Sequence, residues 1–388
     1  MKILMVHPHD IYAASEPWTI RIIEIARQFV KKGHKVKLIY FPLPKEERGV
    51  VKSDLIKEFE TIPFNRRRWA LPYNIFKILK YVKWADVVHF QKCFAHAALP
   101  ALFGAYIYGK PIHYDWDDHE YAIYNFQPPS YTYGLYLNFM EQNLPKLVDS
   151  ISYASNRIKE LALSLGFKEE FMREAHVGAN LTFFNPNVNP GNILEKYGID
   201  KRKHKLVIYV GQLQGGQYAE MLVRAARIIL NKRDDVKFMI VGGGFDLPRL
   251  KHIAYEELCL GEKFVFTGFV VDDEIPKLLK EADIAVACFE DNKITKAKSP
   301  LKIAEYLAAG KAIVASNVGE VPFMLAGNGV LTKPGDIEDL ARGIEFLLDN
   351  PKIRKKLELN ARKRAEEAFN WEITANNILE LYHKILKL

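Results

Sequence analysis

A chain of 388 residues, 49% hydrophobic and 26% charged, is too long for one ordinary core, so two domains of roughly 150–200 residues are expected. That composition excludes disordered, collagen-like and low-complexity classes, and the formal net charge of +8 favours an anionic partner. Three dispersed cysteines, Cys93, Cys259 and Cys288, have no metal-ligand spacing and point to buried thiols in a reducing compartment rather than to a disulfide framework or a zinc site.

From the N-terminus, MKILMVHP lacks the long apolar core and cleavage site of a signal peptide, and a cytoplasmic location is expected. Strands are predicted near Ile3–Val6, Val36–Tyr40, Val87–Phe90, Pro111–Tyr114 and Ser150–Tyr153, with helices between them. The clearest helix runs from Trp18 to Lys32, with Ile22, Ile25, Ala26 and Phe29 on one face and Gly33 behind it. Arg66, Arg67, Arg68 and Trp69 precede a basic amphipathic helix, Tyr73–Trp84, in which Lys77, Lys80 and Lys83 interleave with apolar residues. Such a helix fits an anionic membrane surface, and it equally fits a surface helix packed on a sheet. The apolar stretch Cys93–Gly109 falls short of the roughly 20 residues of a membrane span and reads as a buried helix or helix pair.

Residues 178–205 are rich in Asn, Pro and Gly and mark an interdomain crossing. A second alternating series follows, with strands predicted at Leu206–Val210, Val236–Val241, Phe264–Phe266, Ile284–Ala287, Ala312–Ala315 and Gly329–Leu331, and helix from Asp336 to the end. The pattern specifies an α/β protein of two doubly wound, Rossmann-like domains facing a cleft, with ligands outside the carboxyl ends of the strands. The N-terminal domain is expected to comprise 1–180 with the terminal helix 372–388, and the C-terminal domain 181–371.

SPLKIAEYLAAGKAIVAS, from Ser299 to Ser316, contains a helix start, an internal carboxylate and a buried strand in fixed register. Ser299 is a suitable N-cap and Pro300 a suitable first helical residue, so the first turn offers unpaired amides and a positive dipole end to a phosphate. Glu305 then lies within reach of sugar hydroxyls. The competing reading is an ordinary helix in which Glu305 pairs with Lys302.

The order of short motifs resembles the family 4 glycosyltransferases of the GT-B fold. GHKVKLIY, ADVVHFQ, HVGANLTFFNP, IYVGQLQGG, FMIVGGG and VFTGFV each resemble a family strand end or turn, and SPLKIAEYLAAGKAIVAS resembles a subgroup's SPLKxxEYMAxGKPVVAS donor helix. The resemblance implies that Glu305 binds the donor ribose and that the backbone around Ser299, Pro300 and Leu301 faces the diphosphate. It further implies that Gly211 lets the backbone approach the phosphate and that Gly268 and Val270 lie by the base. It carries no cofactor beyond the nucleoside-diphosphate sugar as substrate.

Departures from the family pattern are equally informative. The family's glutamate eight residues before the ribose ligand is Ala297 here, and its diphosphate-clamping Arg and Lys are Gln212 and Gln217. Two charge-assisted contacts of about 1.5–3 kcal/mol each are thereby absent, and Lys298, with Lys302 second, is the expected substitute. The run from Ala13 to Trp18 stands where paired glycines are usual, and Glu16 and Trp18 are expected to face the cleft as acceptor-side residues, with a donor contact the open alternative. Asp117 occupies a position often histidine in the family and is the leading catalytic candidate, with His113 and His89 behind it. Asp115-Trp116-Asp117 also resembles the metal motif of the other glycosyltransferase fold, but that motif belongs to a single-domain architecture, and no metal is expected.

The implied activity is retaining, metal-independent, hexosyltransferase-type transfer to a hydroxyl acceptor, lipid-linked or on a cell-surface glycan. The protein would be peripheral at the inner face of the membrane through Arg66, Arg67, Arg68, Trp69, Lys77, Lys80 and Lys83, with no nucleic acid partner. A sugar-nucleotide epimerase on the same fold and a non-catalytic sugar-nucleotide binder are the alternatives; base, sugar and acceptor stay open.

Overall fold

The computed structural model describes residues 1–13, 16–47, 56–126, 128–214 and 218–387. In chain order the first series comprises β1 (Lys2–Val6), α1 (Ile20–Lys31), β2 (Lys35–Tyr40), β3 (Glu60–Pro63), α2 (Leu71–Trp84), β4 (Val87–Gln91) and α3 (Ala95–Tyr108). It continues with β5 (Ile112–Trp116), α4 (Glu120–Phe126), α5 (Tyr131–Asn143), β6 (Ser150–Tyr153), α6 (Asn156–Ser164) and β7 (Met172–Glu174). The second series opens with β8 (Lys205–Val210), α7 (Ala219–Leu230), β9 (Val236–Val241), α8 (Leu247–His252), β10 (Phe264–Gly268), α9 (Glu274–Glu281) and β11 (Ile284–Ala287). It ends with α10 (Lys293–Ala297), α11 (Leu301–Ala308), β12 (Ala312–Ser316), α12 (Val321–Leu325), β13 (Val330–Thr332), α13 (Ile337–Asp349), α14 (Pro351–Ala368) and α15 (Trp371–Leu386).

Two compact units result. One contains Met1–Val177, Ala297–Ser299 and Trp371–Leu388; the other contains Gly178–Lys296 and Pro300–Asn370. The first holds a parallel sheet of order β3-β2-β1-β4-β5-β6-β7, the second a parallel sheet of order β10-β9-β8-β11-β12-β13. In each, the chain reverses direction across the sheet beside its first strand, the switch point at which doubly wound folds bind ligands.

Period-two alternation decides what each face of the first sheet packs against. Leu4, Val6, Val88, Phe90, Ile112 and Tyr114 share one core with buried residues of α2, α3 and α5. The alternate positions, His89, His113 and Asp115, point to the opposite face, where α1 supplies Arg21 and α15 supplies Tyr382. The core of the second unit is almost entirely apolar, built from Val207, Ile240, Val286 and Val314 against α7 and α13.

Three expectations need correction. Helix α11 begins at Leu301, because Pro300 is extended (ψ 112°) and occupies the N-cap position. Ser299 does not cap it; its hydroxyl accepts from the Val177 amide at 3.4 Å. The stretch 93–109 forms one helix, α3, whose C-terminal half exposes Phe103, Tyr106 and Ile107 rather than burying them. Strands β3 and β7 escaped sequence reading because both are short, polar edge strands with little apolar alternation.

Candidate functional site

In the second unit, three glycines end adjacent strands. Gly211 follows β8, Gly242 follows β9 and Gly268 closes β10; the Gly211 amide donates to Val241 at 3.0 Å and the Gly242 amide to Gly268 at 3.1 Å. A Cβ on Gly242 would stand 2.0 Å from the Gly211 carbonyl oxygen, and one on Gly244 2.1 Å from that of Leu213, so these backbones touch only because side chains are missing. Gly268 has φ +70°, a conformation that disfavours other residues. Val270 is half-buried just beyond it, while Phe269 is 75% exposed with its ring laid against Gly243.

Helix α11 closes one side of this floor. The Lys302 ammonium stands 3.7 Å from the centre of the Tyr209 ring and 5.9 Å from that of Phe289, a cation–π setting. A Cβ on Gly211 would meet that ammonium at 2.9 Å. Glu305, one turn along, has its carboxyl pushed up to about 8 by burial, with Lys302 opposing the shift and Asp272 adding to it. The half-buried Gln212 follows Gly211 and brings no charge. Gln217 lies outside the described residues.

Lys298 and Ser299 group with the first unit. There Lys298, after Lys92, helps hold the Asp118 carboxyl below its ordinary value against the upward push of burial. Ala297 is buried, and its carbonyl accepts from the Ser155 hydroxyl at 2.7 Å, so this position serves packing. Within the second unit, Lys302 rather than Lys298 stands at the glycine floor.

In the first unit, Asp117 lies just past β5. Its Oδ2 accepts from the Gln91 amide at 2.8 Å and faces the Lys92 ammonium at 3.3 Å; its Oδ1 is buried with no hydrogen-bond partner among the described residues. Burial pushes this carboxyl up to about 7; Lys92 opposes the shift, and Asp118 and Asp115 reinforce it. Lys92 is itself buried, has φ +66°, and also meets Asp118 at 3.2 Å and Glu120. Asp117, Asp118 and Glu120 are close enough to offer three oxygens to one cation, but an ammonium already sits among them, so the donor set suits charge balance within the protein better than a divalent ion.

The two histidine candidates are corrected by their surroundings. His113 has no exposed surface, and its ring nitrogens bond Ser150 and Ser152 at 2.8 and 2.9 Å. His89 is equally buried, bonds the Tyr382 hydroxyl at 2.6 Å, and has its pKa pressed down to about 4 chiefly by burial. Both point into the α1/α15 face, not to the strand ends, and neither can touch a substrate there. Glu16 is also spoken for: it accepts from the Asp10 amide at 2.6 Å and from Arg66, and pairs with His9. Despite the upward push of burial, the His9 and Arg66 bonds hold it down at about 2. Trp18 is half-exposed, edge-on to His9.

Sequence reading missed the buried bidentate pair of Arg21 with Asp115, at 2.8 and 2.7 Å, and the hub at Lys92. The signal was available, because an aspartate inside the buried strand IHYDW demands a cation. The GGG after β9 likewise announced a close backbone approach.

Two parallel-sheet α/β units, of seven and six strands, define a GT-B glycosyltransferase architecture. Residues 19–182 match the family model described as Glycosyltransferase Family 4 and residues 192–364 the one described as Glycosyl transferases group 1, and the chain belongs to this family of glycosyltransferases. An uncharacterized glycosyltransferase of Methanocaldococcus jannaschii, MJ1607, is 31% identical over 46% of this chain and 44% of its own length, so the match spans less than half of that relative. A second from that organism, MJ1069, is 24% identical over 89% of this chain and 88% of its own. Among solved structures, a glycosyltransferase of Rickettsia africae superposes with a TM-score of 0.77 at 20% identity, covering 100% of this chain and 98% of that one. The Anabaena protein HepE, in complex with UDP and glucose, superposes with 0.76 at 17%, covering 98% of each chain. These likenesses concern the fold.

Proposed function

We propose that this protein transfers a hexose, with retention at the anomeric carbon, from a nucleoside-diphosphate sugar to a hydroxyl of a lipid-linked or cell-surface glycan. The single supporting observation is the conjunction, in one unit, of the glycine floor with Lys302 and Glu305 on α11. HepE, of the same fold, holds UDP and glucose.

In this reading the start of α11, from Pro300 and Leu301 on, and the Lys302 ammonium balance the charge of the leaving diphosphate. Gly211 and Gln212 let the backbone lie against the phosphates, Glu305 bonds the ribose diol, and Gly268 and Val270 flank the base. Asp117 orients a sugar hydroxyl or meets positive charge developing at the anomeric carbon, and the departing phosphate takes the acceptor's proton on the same face. No metal is required. The enzyme works at the inner, anionic face of a membrane, reached through the basic segment from Arg66 to Lys83.

The test is a panel of nucleotide sugars scored by thermal shift and by nucleotide release. The matching donor stabilises the wild type, by about 2.7 kcal/mol at 100 times its dissociation constant, and Glu305→Gln loses at least tenfold in its affinity. Nucleotide release that stops in EDTA would refute metal independence. A panel in which nothing binds, or in which Glu305→Gln binds as well as wild type, would overturn the reading of the site.

A further inference from the structure

Helices α2 and α3 of the first unit pack side by side on one sheet face, and α5 adds to the core beneath them. Helices α2 and α3 lock together where Gly104 admits the Val82 and Ile78 side chains. Helix α5 shares their core through Leu137 and Met140, and the Arg68 guanidinium before α2 lies 5.3 Å from the Tyr133 ring of α5.

Each helix satisfies its own core contact and then carries a second, outward stripe of large apolar residues. On α2 and the turn before it the stripe is Trp69 (70% exposed), Tyr73 and Phe76 (72%). On α3 it is Phe103, Tyr106 and Ile107, and on α5 Tyr131, Leu135 and Phe139. On α2 and α5 successive members are three or four residues apart, and on α3 Tyr106 and Ile107 follow Phe103 by three and four, which keeps each stripe to one helix face. Isolated exposed apolar residues need no explanation; three stripes on helices that share one core do.

Charge identifies what covers them. From residue 66 to 110 the sequence has eight Lys and Arg against one acid, Asp86. Some of these cations are committed inward. Arg66 bonds Glu16, the Lys77 ammonium donates to the Pro63 carbonyl at 2.9 Å, and Lys92 is buried. Arg67, Arg68, Lys80 and Lys83 stay exposed beside the aromatic stripes. Aromatic side chains with a basic border match the interfacial zone of an anionic bilayer, whereas two copies of this face would oppose like charges.

We propose that the outward face of α2, α3 and α5 is the platform on which the protein lies on an anionic lipid bilayer. This deepens the membrane-facing part of the function proposed above, and rests on it, while replacing a single basic helix with a three-helix surface from which Arg66 and Lys77 are excluded. All three stripes enter the headgroup region together. The exposed lysines and arginines supply the dependence on lipid charge, which weakens as salt rises.

Co-sedimentation of the whole chain with phosphatidylglycerol/phosphatidylcholine vesicles, against phosphatidylcholine alone, tests the platform. Variants Phe103→Ser/Tyr106→Ser and Leu135→Ser/Phe139→Ser are compared with Lys80→Glu/Lys83→Glu, and UDP binding is measured on each as a fold and site control. The expected result is binding to the anionic vesicles only, weakened about tenfold or more by every pair of substitutions, with UDP binding unchanged. If only the Lys80/Lys83 variant weakens, the basic helix acts alone and the platform is wrong. If wild type ignores vesicles but forms dimers that the serine variants dissolve, the surface is a self-interface and the proposal fails. Vesicle binding absent altogether, with UDP still bound, overturns the membrane proposals and leaves the transferase reading standing.

Discussion

The two units build the same doubly wound sheet from opposite interiors. Across one face of the first sheet run His89, His113, Asp115 and Ser152, tied to Arg21 and Tyr382; the second sheet buries Val207, Ile240, Val286 and Val314 and keeps its polar groups at the strand ends. A polar interior is costly unless every partner is present, whereas an apolar one tolerates change until volume is altered. Lesions in the first unit should therefore register as stability, and lesions at the strand ends of the second as ligand affinity.

The sharpest way to break this contrast is Arg21→Met. It strands the fully buried Asp115 carboxylate, which Arg21 and Ser152 now hold far below its usual range despite burial. A loss of about 3–5 kcal/mol in urea unfolding is expected, and Arg21→Met/Asp115→Asn should recover part of it. Next comes acid. His89 has its folded pKa near 4 because burial disfavours its charged form. Between about pH 6.5 and 4 the unfolded chain binds a proton that the native one refuses, so this contribution is intact above 6.5 and falls by up to about 3 kcal/mol as pH drops through that window. The difference between wild type and His89→Gln, measured at pH 7 and pH 4.5, isolates it from the raised carboxyls, which titrate in the opposite sense.

In the second unit, Gly242→Ala forces a Cβ against the Gly211 carbonyl. A cost of about 1–3 kcal/mol is expected, with nucleotide binding impaired more than the fold. The smallest effect expected is that of Lys302→Met, about tenfold weaker nucleoside-diphosphate binding with little change in melting temperature. Should it unfold the protein instead, the stacking on Tyr209 would be structural and the contrast between the units would weaken.

Much of the fold was legible because buried parallel strands advertise themselves as apolar runs between helical periodicities; Val236–Val241 and Ile284–Ala287 needed no adjustment. What escaped was set by tertiary partners. Nothing local to His113 reveals that Ser150 and Ser152 occupy both of its nitrogens, because those serines come from the neighbouring strand. Glu16 looked available until Arg66, fifty residues away, closed on it. In the second unit, the strand-end glycines and the helix that carries Glu305 were readable because turns and helix starts depend on backbone geometry and local spacing, whereas Lys302 had to be located in space before its place beside Gly211 could be seen.

The contact of Gly242 with Gly211 bears on how the site can diversify. A surface made of touching main chains has no side chains to vary, and Gly242 and Gly244 admit no Cβ without displacing the Gly211 or Leu213 carbonyl. Phe245 and Phe269, in the turns that follow β9 and β10, are largely exposed and carry no such constraint. Under the donor-site reading proposed above, a library at Phe269 and Val270 is expected to shift donor preference while the support beneath stays constant.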